Sequence, residues 1–461
     1  MKRALLVCLA LVVVAAGGLY FAAQRILGSD LVRTQLEQQL SARLGQPVRI
    51  GSLRARIYPG IAVDLGEVSI GQPEALHAAQ IRAFTGIRAL FAESIDVRRI
   101  DVVNARPGGA PVTFDLSASV LGDRLDVSAL TIRGPITKID ATGTLTSVSR
   151  IEGRFEARSD LLDLNELVAM AGALAPPQNT RARATAPTPM HLLVRLTSPR
   201  VRFGTDEFTN LVTAIDVRPG RVILDDLSVN LFAGAFKGRL DADTREAVPG
   251  LKLTGSMRGI DVADLLKRTG SAGGVTGRLS GSMSLAAQGT DGAQLTRSAH
   301  GTIAATVANG TLPHLDMVRT VVLAFGKPAP GGATGSGTAF TSLGGTFALA
   351  ASTLRSDNLS LRSPDVDSDG RGTLAIETGA VDARADLSLS PALTAQAGTD
   401  LRRYAQQDGR VILPATVGGT LNRPSVFIDV AAAARRAITN EMQRRATDFL
   451  GGLFKKKKGG G

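Results

Sequence analysis

The sequence predicts a mainly β, largely antiparallel fold with short punctuating helices, entered through an N-terminal transmembrane helix and ended by an amphipathic one. Three observations carry this expectation. Apolar residues alternate with small or polar ones over many short runs, the period of strands with one buried face. The 461 residues include 51 glycines, no tryptophan and 4% aromatics, which suits many turns and strands better than a helical bundle. One uncharged, mostly apolar run, Ala4 to Ala23, follows Met1, Lys2 and Arg3.

That run of about 20 residues is long enough to span a hydrocarbon core of about 30 Å. Lys2 and Arg3 keep the N-terminus cytoplasmic, so the bulk of the chain faces the periplasm. Residues 1–28 are therefore read as a signal anchor, with a cleaved signal peptide ending near Ala22 and Ala23 as the alternative.

Residues 29–171 form the first folded region. Ser29 or Asp30 caps a helix whose stripe is Val32, Leu36, Leu40 and Leu44, and Gly45 with Pro47 ends it. Period 2 then takes over at Val48 and Ile50, at Ile61, Val63 and Leu65, and at Val68 and Ile70. A one-residue phase slip separates Ile95 and Val97 from Ile100 and Val102, as a bulge or a short turn would. Leu162 to Val168 and Ile260 to Leu266 align without gaps, and in each an Asp is followed three residues later by an acid. This is capping chemistry at a strand-to-helix transition, repeated by internal duplication.

Residues 172–190, rich in Ala, Pro and Thr, are a linker or long loop. Residues 191–430 resume the strands, with Val229 and Leu231, Ile303 and Val307, Leu374 and Ile376, and Leu387 and Leu389 on apolar faces. A second breaker-rich stretch runs from Gly326 to Gly337. In 431–461, Ile438, Met442, Ala446, Phe449 and Leu453 recur at helical spacing before Lys455, Lys456, Lys457 and Lys458. This helix either closes the end of the sheet or docks on an anionic bilayer.

Chemistry is sparse. The one cysteine, Cys8, lies in the anchor, and the four histidines are scattered, so no local metal motif and no disulfide arises. Asp365, Asp367, Asp369 and Gly370 start like a calcium loop, but Ile376 occupies the position of its final carboxylate and the flanks are strands. No nucleophile elbow, phosphate loop or dinucleotide fingerprint occurs, so neither an enzyme nor a cofactor is expected. The net charge of +12 comes without a nucleic-acid motif, and its C-terminal lysine cluster suits an anionic membrane surface.

The run from Gly409 to Asp429 is the most diagnostic. Val411, Leu413 and Val417 lead to Gly419, Thr420 and Leu421, then a turn at Asn422 and Arg423 and a last strand with Pro424, Val426 and Ile428. It resembles the closing β-repeat of AsmA-family proteins. Leu31 to Ile70 is similar to that family's N-terminal region, and Leu231 to Gly238, Gly259 to Leu266 and Thr338 to Leu349 are similar to further blocks. Ser352 stands where a glycine is common. The resemblance implies an inner-membrane-anchored envelope protein tied to outer-membrane assembly, with an elongated, curved sheet whose apolar inner groove holds phospholipid. Val63, Leu65, Val229, Leu231, Ile303, Val307, Leu374, Ile376, Leu387 and Leu389 are the groove candidates. The implied partners are the inner membrane, phospholipid and envelope proteins, and no nucleic acid. A chain of this length is too short to bridge the periplasm alone. The competing reading is a periplasmic scaffold for outer-membrane proteins that pairs through sheet edges. A secreted β-rich surface protein is a third.

Overall fold

A computed structural model describes residues 30–44, 46–56, 61–71, 75–85, 97–108, 111–174, 189–246, 248–268, 273–326, 337–399, 402, 405–429, 432–433, 435 and 442. The anchor, the lysine cluster and most of the linker lie outside them. The chain divides into two compact units: 1–230 with 239–245, and 231–238 with 246–461.

The first unit begins with helix α1 (Asp30–Leu44) and strands β1 (Val48–Arg56), β2 (Ile61–Ile70), β3 (Leu76–Thr85), β4 (Val97–Pro107), β5 (Thr113–Leu121), β6 (Arg124–Arg133), β7 (Lys138–Ser147) and β8 (Glu152–Arg158). Each strand pairs antiparallel with the next. The short β9 (Leu162–Asp163) and helix α2 (Leu164–Leu174) then cross over, so β10 (His191–Phe203) runs parallel to both β8 and β9. Strands β11 (Asp206–Arg218) and β12 (Arg221–Leu231) continue antiparallel. Strand β13 (Gly234–Asp243) contributes residues to each unit.

Alternation decides which face is buried. Ile50, Val63, Leu65, Val68, Ile81, Ile100, Val102 and Leu116 form one core with Leu36 and Leu40 of α1. Burying each large side chain of that kind stabilises by about 1.5–3 kcal/mol. Val63 and Leu65 are thus sealed core residues. The phase slip is a bulge: Phe84 and Thr85 of β3 face Arg99 and Val97 of β4, skipping Arg98. Ile95 lies outside the described residues.

The second unit contains β14 (Gly250–Asp261), helix α3 (Val262–Arg268), β15 (Thr276–Gln288), helix α4 (Gly292–Ser298), β16 (His300–Leu312), helix α5 (Met317–Ala324), β17 (Thr338–Ala350), β18 (Thr353–Arg362), β19 (Val366–Ala375) and β20 (Val381–Leu389). Helix α6 (Pro391–Gln396), the short β21 (Gln406–Gln407), β22 (Arg410–Thr420) and the edge strand β23 (Arg423–Ile428) complete it. From β14 to β20 each strand pairs with the next, and β22 joins β20 to β23, all antiparallel.

The two aligned segments are strand-to-helix transitions. The Asp163 carboxylate accepts the Glu166 amide at 3.1 Å, and that of Asp261 accepts the Asp264 amide at 3.1 Å. Period 2 does not reveal α4, α5 or α6. They are capped by Asp291, Asp316 and Ser390, whose side chains accept amides three residues on. Ile376 also departs from expectation: β19 ends at Ala375, and Ile376 sits in the following turn, where its amide donates to the Ser352 carbonyl. The turn takes it off the strand's apolar face.

Candidate functional site

Register places one uncharged face across the second unit. Leu285 of β15, Gly301 of β16, Leu349 of β17, Leu354 of β18, Leu374 of β19 and Val381 of β20 lie opposite one another in sequence across the ladder. Two residues along, Met283, Ile303, Phe347, Ser356, Gly372, Ala383, Val417 and Val426 form the next row. A third row contains Leu279, Val307, Leu343, Leu361, Ser368, Leu387 and Leu413. None of these side chains is ionisable, so the face offers dispersion and apolar burial and almost no polar handle.

Cover differs from row to row. Met317, Val321 and Val322 of α5 and Leu393 of α6 pack with Leu361, Leu387, Leu389, Leu413 and Val411 into a closed core, with Leu279, Val307 and Leu343 at its margin. Met283, Ile303, Phe347, Leu354 and Leu374 are only half-buried and lie outside that core. The sheet therefore presents one sealed end and one half-open apolar stretch.

The ten groove candidates separate accordingly. Ile303, between Met283 and Phe347, and Leu374, between Leu354 and Val381, sit on the half-open stretch. Val307 lies at the margin of the core, and Leu387 and Leu389 are inside it. Val229 packs beside Leu162, Leu196, Val201 and Leu211 in the first unit, with Val63 and Leu65 in a separate core there. Leu231 is half-buried, and Ile376 is 45% exposed in its turn. Lys455, Lys456, Lys457 and Lys458 fall outside the described residues. Sequence reasoning missed Met283, Phe347 and Leu354 as members of the half-open stretch; their alternation was visible, but their neighbours across the ladder were not.

The opposite face is polar. Thr254, Ser284, Thr302 and Ser256, Ser282 share rungs there, and charges occur as same-strand pairs such as Arg355 with Asp357 at 3.3 Å. In the acidic segment, Asp367 binds Arg410 at 2.8 Å and Asp369 binds Arg362 at 2.6 Å, so both carboxylates already have cationic partners. Among the described residues no group of three or more His, Cys, Asp or Glu could hold a metal ion.

Titration follows the same ion pairs. Hydrogen bonds from Arg245 hold the Asp243 carboxyl well below the usual carboxylate range. Arg124 does the same for Asp126, and Lys138 for Asp140. Lys267 lowers Asp264, and the Ser147 hydroxyl with the Ser149 amide lowers Asp123.

Among the described residues, no helix is long and apolar enough to cross a membrane. Residues 154–361 match the model of the AsmA family. No curated protein and no solved structure matches the chain.

Proposed function

The chain belongs to the AsmA family through residues 154–361, and on that premise we propose that it is an inner-membrane-anchored envelope protein that binds phospholipid acyl chains. It acts as a binding or transfer protein of outer-membrane biogenesis rather than as an enzyme. The observation that supports this reading is the uncharged, half-open stretch around Met283, Ile303, Phe347 and Leu374. A half-open hydrocarbon surface of that kind gains about 0.8 kcal/mol for each CH₂ it removes from water, so one acyl chain supplies ample binding energy.

The scaffold reading requires free sheet edges, and the β1 edge is occupied, so on that reading the pairing surface would be the edge strand β23. The Val48 amide donates to the Ser41 hydroxyl at 2.8 Å, the Ile50 amide to the Glu37 carboxylate at 2.6 Å, and Arg33 to the Gly51 carbonyl at 3.3 Å. Helix α1 thereby takes the place of a neighbouring strand.

The test uses the full chain in a Gram-negative host, with a photo-crosslinking residue at Ile303 or, as control, at Ala304 on the opposite face. Phospholipid adducts at 303 and not at 304 are expected. Protein adducts alone at 303 would overturn the lipid reading.

A further inference from the structure

Seven ion pairs at one end of the first unit share a single arrangement. That end gathers the last residue of β1, the first residues of β4, β6 and β12, the turn before β8, the end of β11 and the segment after β13. Register fixes this: Arg56 lies opposite Ala62, Thr85 opposite Val97, Arg99 opposite Ser119, Leu121 opposite Arg124, Ser147 opposite Glu152, and Arg218 opposite Arg221. The Thr244 amide reaches the Gly220 carbonyl, which brings Arg245 to the same end.

At this end Arg56 pairs with Asp64, Arg99 with Asp101, Arg124 with Asp126 and Arg150 with Glu152. Arg218 pairs with Asp216, Arg221 with Asp241 and Arg245 with Asp243. In every pair the cation is the exposed member: the arginine side chains are 38–64% exposed and the acids 11–37%. Within these seven pairs the charge is thus layered, guanidinium outermost and carboxylate further in along the sheet, while Asp123 of the β5–β6 turn and Glu246 after Arg245 are exposed acids at the same end. A guanidinium has five N–H donors, and a single carboxylate leaves some of them free for a second anion. At the opposite end the acid is the more exposed or nearly equal member of its pair, Glu67 at 67% against His77 at 33% and Asp140 at 52% against Lys138 at 59%.

Two further observations select the occupant. Helix α1 runs antiparallel to β1, with Arg33 at Gly51, Glu37 at Ile50 and Ser41 at Val48. Its N-terminus points to the arginine end, and residues 1–29, with the apolar run Ala4 to Ala23, connect there. Leu121, 65% exposed, stands beside Arg124 at the tip of the β5–β6 turn. An apolar tip among outward guanidiniums suits a headgroup layer better than a protein surface.

We infer that this arginine rim is a membrane-docking surface, in which Arg99, Arg124, Arg150, Arg218, Arg221 and Arg245 engage anionic lipid headgroups and Leu121 enters the interface. The surface holds the first unit upright on the bilayer from which α1 emerges. The inference rests on the membrane location proposed above and not on acyl-chain binding by the second unit.

The full chain with Cys8→Ser is placed in nanodiscs whose lipids carry brominated acyl chains, with an environment-sensitive dye on Leu121→Cys. The control carries the dye on Ile136→Cys, a 48% exposed apolar residue in the turn at the other end. With a third of the lipid as phosphatidylglycerol, quenching at 121 should exceed that at 136 by about twofold or more, and pure phosphatidylcholine or high salt should reduce it. Arg124→Gln with Arg150→Gln should reduce it too; the salt series on the unsubstituted rim gives the same test without altering the fold. Equal quenching at the two sites, or quenching at 121 indifferent to anionic lipid, overturns the docking surface. Phospholipid adducts at position 303 alongside either result would leave the lipid reading standing and sink this one alone.

Discussion

The Glu37 carboxylate accepts the backbone amide of Ile50 at 2.6 Å, so a helix side chain fills a ladder position that a strand would otherwise take. Ser41 does the same for Val48. Leu36 and Leu40, one residue away from each, hold the helix down by burial in the core. The division of labour is plain: apolar residues supply the energy and the polar pair satisfies the edge.

Replacing both Glu37 and Ser41 by Ala leaves two edge amides unpaired. The expected cost is about 1–3 kcal/mol per group, and the bared edge should favour self-association. Urea denaturation and size-exclusion chromatography measure the two effects. A variant that is as stable and monomeric as the parent would show that water replaces the helix side chains at no cost.

Glu166 should matter more than its helical position suggests. Its carboxylate accepts the Thr137 amide at 2.9 Å and the Ile136 amide at 3.2 Å, tying α2 to the β6–β7 turn. Glu166→Ala is expected to lose about 1–3 kcal/mol. Asp261→Ala, which removes an N-cap and a long, 3.9 Å surface ion pair with Arg278, should lose about 1 kcal/mol. Thermal melts of the two variants rank them.

Gly281 is fixed by its neighbours. A Cβ there would lie 2.1 Å from the Ala304 carbonyl oxygen and 3.0 Å from the Ala305 Cα, both backbone atoms of the paired strand. Gly281→Ala should cost about 1–3 kcal/mol through displacement of β16. Gly250→Ala, with nothing within 4 Å, is the control and should stay close to the parent in denaturant midpoint.

The half-open stretch predicts a face-specific response. Ile303→Asp puts a charge among Met283 and Phe347, whereas Ala304→Asp puts one on the exposed polar face. Bound phospholipid, counted by native mass spectrometry, should fall about tenfold or more in the first and stay unchanged in the second. Equal retention in two folded variants would remove acyl chains from this face.

Acid stability has a defined sign. Asp123, Asp126, Asp140, Asp243 and Asp264 all have lowered folded-state pKa values, so below the ordinary carboxylate range of about 4 the unfolded chain binds more protons. Their contribution is fully present above that range and is lost as pH falls through the folded values. The urea midpoint should therefore be insensitive to these groups near neutrality and drop below about pH 4. Arg245→Gln should flatten the part that belongs to Asp243.

Local chemistry was legible in the sequence because it acts over a few residues. Alternation at Val48 and Ile50 or Val68 and Ile70 marks a strand, the spacing of Leu36 and Leu40 marks a helix face, and Asp163 and Asp261 announce their caps. Tertiary structure alone decided what lies over each apolar face. Leu387 and Ile303 have the same pattern in sequence, yet α5 and α6 seal the first and leave the second half-open. Nothing in the spacing of Met317, Val321 and Val322 says which strands they cover. The arginine rim was equally hidden: Arg99 and Asp101 or Arg124 and Asp126 are ordinary neighbours along the chain. Only the register of a sheet collects them at one end, because the pairing of each strand with its neighbours, not composition, sets which strand ends share a surface.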